Sequence, residues 1–221
     1  MSFNLDIILR VITAPNSAFA EIRDNEDKYF VPSVGLFLFT SALGALVLLP
    51  FVMIPFDDAY FEGVDDVDLP TGDADVVLFV GNSILSGFVS VVLFYFMGKN
   101  IGGNANWKKV FSVIFYTHVP AIPMTIIISI LVFLMMGSFA SIDSSYFMAP
   151  DGNEEKLLSV LGPILIYGGL IAIVGIVFVV WLFIVSVKAI KVVNGFGTGK
   201  AFGLLILVMI ISTIVSALIS S

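Results

Sequence analysis

LLSVLGPILIYGGLIAIVGIVFVVWLFIVSV, residues 157–187, contains no Asp, Glu, Lys or Arg. Taken as a helix at 1.5 Å per residue it is roughly 46 Å long, more than the about 30 Å of hydrocarbon in a bilayer. A helix that is apolar on every side belongs in a large core or a membrane. The excess length predicts a tilt, a bend near Pro163 to Gly169, or an extension past the membrane towards Ala189. Four more charge-free stretches lie at residues 31–56, 76–97, 110–136 and 201–219. Transmembrane β-strands would be about half as long and would alternate polar with apolar residues; these do not. The expected fold class is all-α: a polytopic membrane helical bundle of five transmembrane helices, preceded by short amphipathic interfacial helices.

Composition points the same way. Hydrophobic residues make up 59% and charged residues 12% of the 221, with a mean hydropathy of +1.09. A soluble domain carries about 25% charged residues, so this chain lacks the charge to cover a water-facing surface. Cysteine is absent, which excludes disulfides, thiolate catalysis and zinc–cysteine sites.

Charge placement gives the orientation. Residues 1–30 carry Arg10, Arg23 and Lys28. Residues 98–109 carry Lys99, Lys108 and Lys109, and residues 188–200 carry Lys188, Lys191 and Lys200. The segments on the other side of a five-span path hold only Lys156, so nine of ten cations share one side. Basic residues are retained in the cytoplasm. The N-terminus is expected inside and the C-terminus outside, with residues 1–30 as a cytoplasmic entry segment and 31–221 as the membrane domain. The short apolar run at residues 4–12 lacks a signal-peptide core and cleavage pattern, so residues 1–30 read as mature protein.

Within that entry segment Phe3, Leu5, Ile8, Val11 and Ile12 follow helical spacing, and Phe19 and Ile22 repeat the pattern after Pro15. Such faces either lie against lipid or pack on the cytoplasmic ends of the spans; the spacing leaves both open. The outer loop at residues 57–75 holds eight carboxylates and no cation. It reads as a solvated acidic loop, or as a site for divalent cations, without the spaced pattern of a calcium loop.

Residues 102–123, GGNANWKKVFSVIFYTHVPAIP, interrupt the third span. Pro120 removes the donor to the Tyr116 carbonyl and Pro123 the donor to that of Val119. In hydrocarbon those carbonyls must find other partners, and Tyr116, Thr117 and His118 stand beside them. His118 is either a packed, hydrogen-bonded residue of the kink or a proton-responsive group. Small residues mark close helix approach: Ser83, Gly87 and Ser90 on one face of the second span, and Gly162, Gly168, Gly169 and Gly175 in the fourth.

Enzyme chemistry finds no footing. GFGTGK, residues 195–200, has Asn194 where a phosphate loop needs its first glycine, and Ala201 where it needs Ser or Thr. His118 is the single histidine, no span contains a carboxylate, and Ser112 lies off its helical face. No catalytic residue, cofactor or metal is expected.

Several of these features together resemble the Yip family of multi-span proteins, named for interaction with Ypt/Rab GTPases. The entry segment is similar to its P-x-x-x-F-x-x-I, as Pro15, Phe19 and Ile22. The Gly-Gly turn, aromatic helix and closing proline of residues 102–123 are similar too. So is the end of the fourth span, with Trp181, Lys188 and Ala189 before a glycine-bearing turn. The resemblance implies a non-enzymatic membrane organiser or partner-recruiting scaffold, of vesicle-traffic type where Rab GTPases exist. It assigns no role to His118. The lead of about 30 residues is shorter than in eukaryotic members, pointing to a prokaryotic cell membrane and away from a Rab partner.

The expected contacts are therefore the lipid bilayer and a membrane or cytoplasmic protein, with a homo-oligomer possible and no nucleic acid. The contact surface comprises Pro15, Phe19, Ile22, Lys99, Lys108, Lys109, Lys188, Lys191 and Lys200, the lysines near anionic headgroups at about 1 kcal/mol each. The alternative is a small-solute or ion transporter or channel subunit. Its pathway would pass the kink and be lined by Tyr116, Thr117, His118 and Asn82.

Overall fold

The computed structural model describes residues 4–49, 73–140, 158 and 161–219. Among these residues there is no strand. Helices α1 (Leu5–Thr13), α2 (Pro15–Asp24) and α3 (Glu26–Gly44) follow one another with single-residue joints at Ala14 and Asn25. Each joint has a local cause. Asn4 caps α1 by accepting the Asp6 amide at 3.2 Å, and Pro15 opens α2, where its missing N–H costs nothing. Asn25 donates its side-chain amide to the Glu21 carbonyl at 2.9 Å, closing α2. A 3₁₀ turn, Ala45–Val47, ends this run. Then come α4 (Asp73–Asn100), α5 (Trp107–Tyr116), α6 (Ala121–Ala140), α7 (Gly169–Asn194) and α8 (Thr198–Ile219).

Among the described residues five stretches are long and apolar enough to cross a membrane: Glu26–Val47, Val76–Asn100, Trp107–Ser138, Leu161–Asn194 and Thr198–Val215. The chain is an integral, multi-pass, all-α membrane protein. The first span starts before residue 31 because α3 carries its polar first turn, Glu26 to Lys28, without a break. The long fourth span both distorts and extends. A five-residue π turn, Ile164–Gly168, follows Pro163, the kind of wide turn that absorbs a lost helix hydrogen bond, and the helix then continues to Asn194. The acidic segment at residues 57–75 falls outside the described side chains, and so does Phe3.

Two compact units emerge from the contacts. One comprises Leu43–Phe79 and Pro123–Val177; within it Ala45, Val132 and Met136 are buried, and Gly44 lies under the Phe79 ring. The other comprises Met1–Ala42, Val80–Ile122 and Phe178–Ser221. It holds the main hydrophobic cluster, the kink as far as Ile122 and the polar cap.

The entry helices pack on protein. Ile7, Val11, Ala18, Phe19 and Ile22 are fully buried in that cluster, and α2 lies against α5. Leu5, expected on the apolar face of α1 with Ile8 and Val11, is 69% exposed, and Ile7 is the residue buried beside Val11. Ile7 and Val11 are four apart and stack on one face, whereas Leu5 and Leu9 form the opposite ridge. The glycines of the fourth span also depart from expectation. A β-carbon at Gly162, Gly169 or Gly175 would meet no described atom within 4 Å, and one at Gly168 only Ile164 Cγ2. Close approach occurs instead at Gly87, Gly98 and Gly103.

Candidate functional site: the kinked third span and the polar cap beside it

The third span turns between α5 and α6 through Thr117 to Pro120. Its backbone resolves the two prolines without water. The Tyr116 carbonyl, deprived of a partner by Pro120, accepts the Val119 amide at 3.2 Å; that of Val119, deprived by Pro123, accepts the Ile122 amide at 3.1 Å. The chain tightens into i→i+3 bonds, and the His118 carbonyl likewise accepts the Ala121 amide at 2.9 Å. Pro123 is the third residue of α6, in the first turn where amides lack helical partners anyway. The side-chain donors expected here are unnecessary. Only the Thr117 hydroxyl joins in, donating to the Ile114 carbonyl at 2.6 Å.

Aromatic side chains hold the turn in place. Phe37 stacks on Phe115 with ring centroids 4.5 Å apart and meets His118 edge-on at 5.2 Å and Phe88 at 5.6 Å. Trp107, Phe111 and Phe115, four apart along α5, continue the column through edge contacts at 5.8 and 5.5 Å. Such pairs add about 0.5–1.5 kcal/mol each beyond area burial. This matters in a bilayer, where apolar burial alone does not drive helices together. Tyr116 is buried and meets Tyr29 edge-on at 6.0 Å.

His118 faces a recess of about 400 Å³ shared with Thr117 and the serines at 83, 86, 90 and 186. Its Nδ1 is buried, with no hydrogen-bond partner assigned among the described residues. Tyr116 and Asn82, expected to line a solute pathway, do not border this recess. Ser90 closes part of the wall, its hydroxyl 3.3 Å from that of Ser212. Ser112 Oγ is buried and unpartnered within the described structure, away from the recess. Among the described residues no three His, Asp or Glu side chains gather as a metal site.

The cation-bearing segments meet at one end of this unit. The α4–α5 turn, Ile101 to Asn106, is a glycine-terminated helix end. Gly102 has φ +94°, the Gly103 amide reaches back to the Gly98 carbonyl at 2.8 Å and the Gly102 amide to that of Lys99 at 3.1 Å, the paired bonds of a Schellman motif. Gly195, φ +69°, ends α7 similarly, with the Phe196 amide on the Lys191 carbonyl at 3.1 Å. Asn194 joins the two ends. Its Nδ2 donates to the Ile190 carbonyl at 3.3 Å, and its Oδ1 fills the space beside Gly98 and Gly103 that any β-carbon would need. Residue 103 is thus glycine for contact, and residue 102 for conformation.

Ion pairs and hydrogen bonds tie the entry helices to these turns. Lys108 pairs with Asp27 at 3.0 Å and Lys109 with Glu26 at 3.4 Å. Asn106 accepts the Lys109 amide as cap of α5 and donates to Glu26 at 2.8 Å. Arg23 donates to the Val192 carbonyl at 3.1 Å in the last turn of α7, where a cation also suits the helix dipole. Between α1 and α2, Glu21 accepts from Arg10 at 2.6 Å and from the Tyr29 hydroxyl at 2.5 Å. The Tyr29 hydrogen bond, then that of Arg10, hold the Glu21 carboxyl below the ordinary glutamate range. Arg23 does the same to Asp24.

A carboxyl depressed on folding contributes stability above its unfolded pKa and loses it as pH falls through the folded value. Amide exchange across α2 should therefore accelerate as pH is lowered from about 7 to about 3, once corrected for intrinsic exchange rates, and Glu21→Gln should flatten most of that response. An unchanged profile in Glu21→Gln would remove the carboxylate from the account.

The residues expected at a contact surface divide. Pro15, Phe19 and Ile22 are buried; they seat α2 and present nothing outward. Lys108 and Lys109 are half-buried and engaged with acids. Lys99 lies over the Tyr95 ring at 5.7 Å and Lys200 over Phe196 at 6.0 Å. Lys188 is half-buried, Lys191 exposed. Asn106 and Asn194 were not singled out from the sequence. Asn106 is legible as a cap three residues before Lys109, and Asn194 as the one polar uncharged residue before a helix-ending glycine.

Comparison with curated proteins and with solved structures finds no match. The Yip1 domain does match, over residues 9–219. That range takes in most of the entry helices, all five candidate spans, the kink and both glycine-ended turns, so the chain belongs to the Yip1 domain family of membrane proteins.

Proposed function

We propose that the chain is a non-enzymatic membrane organiser, a scaffold that recruits a membrane or cytoplasmic protein to the end of the bundle where its cations gather. The Yip1 family is a non-enzymatic membrane family, and the positive-inside rule makes that end cytoplasmic. The observation that carries the reading is the docked cap. Its inner face is buried, its polar links reach the α4–α5 turn and the end of α7, and its outer ridge stays apolar. Leu5 and Leu9, one turn apart on α1, are 69% and 57% exposed. A fixed ridge of this kind loses little conformational entropy on meeting a partner.

Photo-crosslinking from native membranes, with the reactive residue at Leu9, tests this against a Leu5→Glu variant carrying the same probe. Specific protein adducts that fall at least about tenfold in the variant support recruitment through the ridge. Adducts only with lipid, or protein adducts unchanged by the glutamate, count against it. Deleting residues 1–30 is a poor test because it would uncover the core that Phe19 and Ile22 close.

A further inference from the structure

Lys188 and Lys191 stand one turn apart at the end of α7, and they differ from every other cation in the described structure. Arg10, Arg23, Lys108 and Lys109 each have a carboxylate within 4 Å, and Lys28, Lys99 and Lys200 lie over aromatic rings. Among the described residues Lys188 and Lys191 have neither. The carboxylates of the entry segment, Asp6, Glu21, Asp24, Glu26 and Asp27, are all engaged elsewhere. Among the described residues no carboxylate is left to serve this pair as counter-anion.

The two lysines border a recess of about 280 Å³ with Asn16 of α2 and Thr198 of α8. Its floor is Phe183, Ile184 and Val187, the last apolar turn of the fourth span. The arrangement is graded: donors above, hydrocarbon wall below, at the level where a span leaves the membrane. Thr198 is the first residue of a 22-residue helix, whose unpaired amides and positive dipole end reinforce the lysines. No carboxylate among the described residues lines the recess to oppose them.

We infer that this recess binds one anionic glycerophospholipid, its phosphate between Lys188, Lys191, Asn16 and Thr198 and an acyl chain along Ile184 and Val187. Basic pockets between membrane helices hold anionic headgroups in this way. A free phosphate would use the donors and leave the apolar wall to water, so the lipid is the better occupant. The site deepens the scaffold reading by placing the lysines at the membrane surface, yet it is measurable without any partner. Loss of the protein adducts at Leu9 with lipid retained would sink the scaffold role alone.

The purified full chain, reconstituted in phosphatidylcholine nanodiscs containing a minority of phosphatidylglycerol, should retain one phosphatidylglycerol per chain in native mass spectrometry. Nanodiscs expose both leaflets equally, so the result does not depend on orientation. Lys188→Gln with Lys191→Gln should lower that retention about ten- to thirty-fold. Lys99→Gln with Lys200→Gln, the same change in net charge, should leave it within about twofold. Lys188→Arg with Lys191→Arg should keep it, which separates charge from misfolding. Equal loss in the two Gln pairs, equal retention of phosphatidylcholine, or displacement by millimolar glycerol phosphate would each overturn the site.

Discussion

Gly87→Ala should destabilise the protein by about 1–3 kcal/mol, the usual cost of forcing a methyl group into a packed site. At roughly 2–4 °C per kcal/mol for a chain of this size, that is a fall of several degrees in the unfolding midpoint in detergent. Helix propensity alone predicts the opposite sign, since alanine is favoured over glycine by about 0.8–1.0 kcal/mol in a helix interior. Packing wins because the new β-carbon would land on the far edge of the Phe37 ring. An isolated ring would swing aside. Phe37 is 1% exposed, with Phe115 stacked on it and Phe88 and His118 at its edges. Phe37→Leu shortens the obstruction. The double variant should therefore cost less than the sum of the singles, with a coupling of about 0.5–3 kcal/mol. Strict additivity, or a more stable Gly87→Ala, would show that the second span does not rest on that ring.

Phe19→Ala should have the larger effect, about 3–5 kcal/mol, as a fully buried aromatic lost from a core. Its consequences should be local. Phe19 is 0% exposed in α2, and the spans keep their own packing when the cap lifts. Trypsin should then cut after Arg10, Arg23 and Lys28 at rates that wild type does not show, while the membrane-embedded fragment stays intact. Leu9→Ala, on the exposed ridge, should change cleavage little, within about 0.5 kcal/mol. If Phe19→Ala resists trypsin as wild type does, the entry helices are not held by their buried face, and the fixed ridge at Leu5 and Leu9 loses its basis.

The spans were legible because their signal is long and one-sided: stretches of apolar residues with cations collected in alternate connections. The entry helices were legible as amphipathic, but not in what their apolar face meets. Lipid and protein select the same residues, and only two positions along α1 separate exposed Leu5 from buried Ile7. Proline chemistry announced the kink at Pro120 and Pro123, yet not its solution. That Val119 and Ile122 amides would serve the freed carbonyls depends on backbone angles that residue types do not state. Glycine counting found the close contact in the second span and, among the described residues, none in the fourth, because closeness depends on the partner: Phe37 over Gly87, no described atom beside Gly175. Asn194 was legible only as a mismatch to a phosphate loop, because its two roles involve Gly98 and Gly103, about ninety residues away in the chain.

Sidedness is the claim on which the cytoplasmic placing of the cap and its recruiting ridge rests. The chain has no cysteine, so single substitutions report it directly. Asn104→Cys in the α4–α5 turn and Thr71→Cys in the acidic segment should be placed separately in intact cells and treated with a membrane-impermeant maleimide. Thr71→Cys should label from outside, and Asn104→Cys only after permeabilisation. Labelling of both from the same side would contradict the five-span path and everything built on its cationic end.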